Sequence, residues 1–127
     1  MSKNSNKSVN INKGDYGEVI GTGYLRAKGF EILAAKYKGP KGEIDIIARL
    51  GDLICFVEVK LRKTTKAGSG ASAVTLAKQR NLIKTAEQFI AENENPSSAY
   101  RFDVLEIFGR ENYTVNHIEN AFYADGG

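Results

Sequence analysis

The chain has 127 residues, with 18 Lys/Arg against 15 Asp/Glu, one histidine and one cysteine. That length suits one domain whose core needs no disulfides; a lone cysteine makes no intrachain bridge, and one cysteine with one histidine builds no Cys/His zinc site. The net charge of +3 hides a basic middle and an acidic end: residues 60–86 carry seven bases and no acid, residues 87–127 two bases and eight acids, so a polyanion would be attracted to the middle of the chain.

Residues 1–13 (MSKNSNKSVNINK) contain no apolar run. They read as a disordered polar tail rather than a signal peptide. No stretch reaches the roughly 18 apolar residues a membrane span requires, so a cytoplasmic protein without membrane association is expected. The folded domain should run from 14 to 122, with a short tail over 123–127.

Tyr16, Val19, Ile20, Tyr24 and Ala27 recur at helical spacing and predict a helix over 14–28, ended by Gly29. Gly21 and Gly23 are poor helix formers within it. Residues 30–38 read as a strand, 39–42 as a turn, and 43–50 and 53–62 as two further strands. A basic, Gly/Ser-containing loop follows. A helix is predicted over 74–92, with Leu76, Ile83, Ala86 and Ile90 on one stripe. Strands near 100–108 and 112–118 close the order α-β-β-β-α-β-β. This is an α/β chain with a mixed central sheet flanked by helices, in which only the pair formed by 54–61 and 101–107 has a connection able to make a parallel crossover. Cys55 falls inside an apolar strand and reads as a packed thiol.

The segment GEIDIIARLGDLICFVEVK, residues 42–60, reads as a hairpin turning at Gly51-Asp52. Opposite residues then sum to 103, so that Ile47 faces Phe56, Asp45 faces Glu58 and Glu43 faces Lys60. Alternation puts Glu43, Asp45, Glu58, Lys60 and Arg62 on one face, and Ile44, Ile46, Ala48, Val57, Val59 and Leu61 on the other. The β-carbons of Asp45 and Glu58 would stand about 4.5–5.5 Å apart, a destabilising arrangement for like charges. A proton taken up by one carboxyl, neutralisation by Lys60, or a divalent cation between them would each relieve it; the last would be a hard, oxygen-preferring ion such as Mg²⁺ or Mn²⁺.

Asp45, then a dozen residues, then Glu58-Val59-Lys60 resembles the PD-(D/E)XK nuclease superfamily, with Ile44 where a proline commonly precedes the aspartate. The words Gly17-Glu18 at the start of a helix, GEIDIIA, FVEVK, RFDV at 101–104 and HIENAF at 117–122, in this order, are similar to the YraN family. These are small proteins related in fold to archaeal Holliday-junction resolvases, and the likeness spans residues 14–122. The resemblance implies a restriction-endonuclease-like fold. It implies metal binding by Asp45, Glu58, the Val59 carbonyl and Glu18, and a Lys60 that positions or activates the attacking water. Arg62, Lys63, Lys66, Lys78, Gln79 and Arg80 are the expected nucleic-acid contacts. The partner would be DNA, with RNA also open, and the related resolvases imply a homodimer and protein partners in DNA processing. Asp103 is expected to be a buried structural partner for Arg101 or another base, and His117 a structural or strand-end residue.

Three functions follow as expectations. The first is a Mg²⁺- or Mn²⁺-dependent nuclease acting on DNA, branched or single-stranded, in repair, recombination or uptake. The second is a nucleic-acid-binding protein that keeps the fold without cutting. The third is an interaction domain using its acidic C-terminal region.

Overall fold

The computed structural model describes residues 13–63, 74–93 and 99–123. Seven elements follow in the order α1 (Lys13–Ala27), β1 (Glu31–Lys38), β2 (Glu43–Leu50), β3 (Leu53–Arg62), α2 (Leu76–Glu92), β4 (Ala99–Phe108) and β5 (Thr114–Phe122). The strands form one sheet in sequence order, antiparallel except for the parallel β3–β4 pair that α2 connects. This is the α-β-β-β-α-β-β mixed sheet expected from the sequence. No helix among the described residues is long and apolar enough to cross a membrane.

The two helices cover opposite faces. Leu82, Ala86 and Phe89 of α2 pack with Ile47, Phe56, Phe102 and Val104, whereas Leu25 of α1 packs with Ile46, Ala48, Cys55, Val57 and Leu105. A sheet covered on both sides buries consecutive residues, and Ile54, Cys55, Phe56 and Val57 are all buried. Cys55 is the packed thiol expected: burial first, and then the Asp103 charge, push it up to about 12.

Local signals set the element ends. At the end of α1, Gly29 adopts φ 98°. Its amide donates to the Arg26 carbonyl and the Phe30 amide to that of Leu25, both at 2.9 Å. This is a Schellman cap, with Phe30 and Leu25 meeting in the core as its apolar contact. Helix α2 starts at Leu76, two residues later than expected, because Thr75 is extended and its side chain accepts the Lys78 amide. Strand β5 runs to Phe122, beyond the expected 118. Its end is irregular, with Asn120 at φ 55° and its amide given to Asp103, so the apolar alternation that marks a strand is lost there.

The β2–β3 hairpin turns at Gly51-Asp52 and pairs Leu50 with Leu53, Ile47 with Phe56 and Ile46 with Val57. The pairing stops at that last pair, so the expected Asp45–Glu58 and Glu43–Lys60 oppositions are not ladder pairs. The expectation that Ile44 and Ile46 share a face also fails, because Ile44 joins the α2-side core and Ile46 the α1-side core. The cause extends into β1. Lys36 falls opposite Asp45 in the register and has φ 53°, the left-handed region that non-glycine residues rarely adopt. Ala34 and Tyr37 of β1, like Ile44 and Ile47 of β2, are three residues apart and lie on the same side. Both strands therefore change pleat at the same level.

The α1 glycines have separate roles. A β-carbon on Gly21 would lie 2.9 Å from Ile46 Cδ1 and 3.4 Å from Val59 Cγ2, whereas one on Gly23 would meet nothing within 4 Å. Gly21 is thus the close approach of α1 to the sheet. Urea unfolding is expected to show Gly23→Ala stabilising by roughly 0.5–1 kcal/mol through helix propensity. Gly21→Ala is expected to destabilise by about 1 kcal/mol, because overpacking exceeds the same gain.

Candidate active site

Beyond Ile46 and Val57 the two central hairpin strands part, and a side chain takes over from the ladder. Asp45 Oδ2 accepts the Val59 amide at 2.8 Å. Glu58, only 5% exposed, lies beside it on β3. Glu58 Oε2 is paired with the Lys78 ammonium of α2 and lies 3.9 Å from Lys60 Nζ. Glu58 Oε1 is buried and has no hydrogen-bond partner. Two acids are thus brought together on adjoining strands, with two lysines on one oxygen of the pair.

Burial raises the Asp45 carboxyl most, and repulsion by Glu58 raises it further. The Val59 amide and Lys78 oppose these effects, and the result is pushed up to about 7. Lys78 is desolvated, which lowers its pKa, but the bond to Glu58 and the charges of both acids outweigh this and hold it above its ordinary value. The lysine therefore remains an ammonium.

The other expected residues divide. Glu18 lies 3.6 Å from Lys36, which also pairs with Asp15 at 2.5 Å. Its recorded partner is therefore a β1 lysine. Among the described residues no group of three or more His, Cys, Asp or Glu is placed to hold a metal ion, so the expected joining of Glu18 to Asp45 and Glu58 in one ligand cluster is not seen. Gln79, expected on nucleic acid, donates its side-chain amide to the Val74 carbonyl at 3.0 Å and serves the start of α2. Arg80 and Lys63 are exposed. Lys66 lies outside the described residues.

Arg62 donates to Glu106 Oε2 at 3.2 Å, and Asn116 donates to Glu106 Oε1 at 3.0 Å. Glu106 is 1% exposed and stands beside Lys60 in the parallel register. Sequence reasoning did not single it out. Its signal, a charged residue in the apolar run VLEIF, is the same one that marked Asp45 and Glu58.

On the α1 face, Asp103 forms a separate cluster. Arg101 donates to both its oxygens at 2.8 and 2.9 Å, His117 Nε2 stands 2.8 Å away, and the Asn120 amide donates at 3.0 Å. Burial alone would raise the Asp103 carboxyl, but the bonds from His117, Arg101 and Asn120 prevail and hold it at about 2. Asp103 is thus the buried partner of Arg101 and of His117, and the His117 ring meets Tyr24 edge-on at 5.6 Å.

A family model described as "Uncharacterised protein family UPF0102" matches residues 17–107. The chain belongs to the UPF0102 (YraN) family. A UPF0102 protein of Clostridioides difficile is 42% identical over 113 residues, covering 89% of this chain and 98% of its own length. One from Caldicellulosiruptor saccharolyticus is 40% identical over 112 residues, covering 86% and 95%. One from Myxococcus xanthus is 37% identical over 112 residues, covering 87% and 89%. The matched span of the UPF0102 model contains α1 from Gly17, the parted hairpin and β4 as far as Ile107, and so includes every residue of the Asp45–Glu58–Lys60–Lys78 group.

Two consequences can be measured. Asp45→Asn keeps an acceptor for the Val59 amide and removes a buried like charge, so in EDTA it should raise stability by about 1–2 kcal/mol; a fall would make the carboxylate a net structural contributor. Asp103 runs the other way. Its folded pKa lies below its unfolded one, so its stabilisation is complete above about pH 4 and is lost as pH falls toward 2, amounting to about 2 kcal/mol. Urea midpoints taken down that pH range should show this loss, and Asp103→Asn should remove it while lowering stability at neutral pH.

Proposed function

We propose that this UPF0102 protein is a metal-dependent phosphodiesterase that hydrolyses nucleic acid, with DNA as its substrate class. The observation that carries the reading is the buried Asp45–Glu58 pair beside Lys60 where β2 and β3 part. A chain selected only for stability would gain by neutralising Asp45, whose charge repels that of Glu58, and Glu58 Oε1 is left buried without a donor. The donor set suits a hard divalent cation. Two carboxylates with the Val59 carbonyl make an incomplete cage, which matches Mg²⁺ or Mn²⁺ keeping most of its water and accepting a substrate phosphate. The bound ion would screen the phosphodiester's charge and make water more acidic.

The protein groups then have definite tasks. Asp45 is held by the Val59 amide, so its position is set before substrate arrives. Lys60 orients the attacking water and offsets the charge that develops on the phosphoryl oxygens. Water adds to phosphorus, the bond to the leaving oxygen breaks, that oxygen takes a proton, and the attacking water loses one. Lys78, already charged and already at the site, can shift its ammonium from Glu58 to a phosphate oxygen. Glu18, which pairs with Lys36, is not assigned as a direct ligand.

A second reading is favoured by one observation. Lys78 and Lys60 already balance Glu58, so the site is partly neutralised by the chain itself, as a non-cleaving nucleic-acid binder would require. A substrate panel separates the two. Labelled single-stranded, duplex, flap, four-way-junction and RNA substrates are incubated with Mg²⁺, Mn²⁺ or EDTA. The nuclease reading predicts metal-dependent cutting that Asp45→Ala and Lys60→Ala each reduce by at least about 100-fold. Salt-sensitive binding without any cutting would establish the binder. Cutting that survives both variants would place the chemistry elsewhere.

A further inference from the structure

A pocket of about 290 Å³ opens beyond the ends of β3 and β4, lined by Tyr16, Leu61, Arg62, Lys63, Gly109 and Arg110. Of these six described residues three are cationic and none is acidic. Two of the three cations are held in place. Arg62 is anchored from behind through Nε by the buried Glu106, and a guanidinium carries further donors on its outer nitrogens. The Arg110 guanidinium lies 5.1 Å from the centre of the Tyr16 ring. The Tyr16 hydroxyl in turn donates to the Arg110 carbonyl at 2.5 Å and lies 3.3 Å from that of Gly109. Helix α1 thus pins the loop after β4 from both ends of one side chain. An ordinary solvated surface leaves its arginines unconstrained; here a buried acid and a tethered aromatic ring orient two of them around a concavity.

We infer that this pocket is an anion subsite that takes a backbone phosphate of a single-stranded polynucleotide next to the one at Lys60. The inference rests on the nucleic-acid reading above and adds to it Tyr16 and Arg110, neither of which was among the expected nucleic-acid contacts. Position supports it. Arg62 follows Lys60 by two residues on the same face of β3, a strand advance of roughly 6.6 Å, about one nucleotide's reach along a backbone. Chemistry supports it too, since the guanidinium fork matches phosphate oxygens. The volume sits at the small end of ligand pockets, which suits one phosphate with its sugar rather than a stretch of duplex. Phosphate contacts position a strand without reading its bases, so recognition here is expected to be independent of sequence.

The test is binding, not cleavage. Fluorescence anisotropy follows a labelled oligothymidylate and a labelled oligouridylate in EDTA across a salt series. Wild type is compared with Arg110→Glu, with Tyr16→Phe, and with Arg26→Glu as the same charge reversal near the far end of α1. Arg110 is exposed, and thermal melts verify that each variant is folded. Arg110→Glu should weaken binding by about tenfold and lower the salt slope by about 0.7 for the lost contact. Tyr16→Phe should weaken it a few-fold by freeing the loop. Arg26→Glu should change neither affinity nor slope appreciably. If Arg110→Glu behaves like Arg26→Glu, or if wild type binds neither strand, the subsite is wrong. Because metal is absent, a protein that binds through Arg110 yet never cuts would keep the subsite and lose the hydrolytic reading, while one that cuts without using Arg110 would do the reverse. Preference between the two strands decides DNA against RNA.

Discussion

The amide of Val59 gives its hydrogen to the carboxylate of Asp45. That bond replaces the next rung of the β2–β3 ladder, and most of the site depends on it. It lets the strands part without leaving a buried amide unsatisfied, which would otherwise cost about 1–3 kcal/mol. It places one acid against the strand that carries the other. It also coincides with the change of pleat that sends Ile44 to the α2 core while Ile46 stays with the α1 core. A ladder continued through Asp45 and Glu58 would have stacked two carboxylates side by side and closed the gap between the strands.

The sheet's interior acids are compensated to different degrees. Asp103 receives bonds from Arg101, His117 and Asn120 and is held near 2. Glu106 has a donor on each oxygen, from Arg62 and Asn116. Glu58 has its cations on one oxygen only and shares its surroundings with a second acid that burial pushes up to about 7. Full compensation stabilises and orients; partial compensation leaves capacity for a ligand, and strongly shifted groups gather where that capacity is used.

The hairpin register was legible in the sequence as far as Ile46 and Val57, because a two-residue turn and an apolar alternation specify it together. The fold class was legible for the same reason, since the α-β-β-β-α-β-β order and one helical crossover restrict the sheet to few forms. The change of pleat was not. Nothing in AAKYK announces that Lys36 takes a left-handed conformation, and without it Ile44 is assigned to the wrong face. Parallel register was also hidden, because a crossover through a helix leaves the relative slide of β3 and β4 undetermined. Glu106 therefore could not be set beside Lys60, nor Arg110 near Arg62. The partners of Lys78 and Gln79 depend on how α2 seats against the sheet: at helical spacing both read as solvent-facing, yet one meets Glu58 and the other bonds the Val74 carbonyl just before its own helix.

The location of the uncompensated groups follows from the topology. In open sheets, ligands collect at the carboxyl ends of parallel strands, where the chain leaves the sheet and loops are free to vary. Among the described residues β3 and β4 are the only parallel pair. Their carboxyl ends carry Lys60, Arg62, Glu106 and the Gly109–Arg110 loop, and the first turn of the crossover helix brings Lys78 to Glu58. The antiparallel strands outside them contribute differently: β2 supplies Asp45 where it parts from β3, and β5 supplies Asn116 to fix Glu106. A cation at Lys60 or Arg62 would repel its neighbours if each stood alone. Alternating the bases with Glu58 and Glu106 along the strand pair lets the sheet hold a row of positive groups at the mouth without unfolding. The same acids that make the interior strands look anomalous in sequence are therefore what allow a basic surface to be built at their ends.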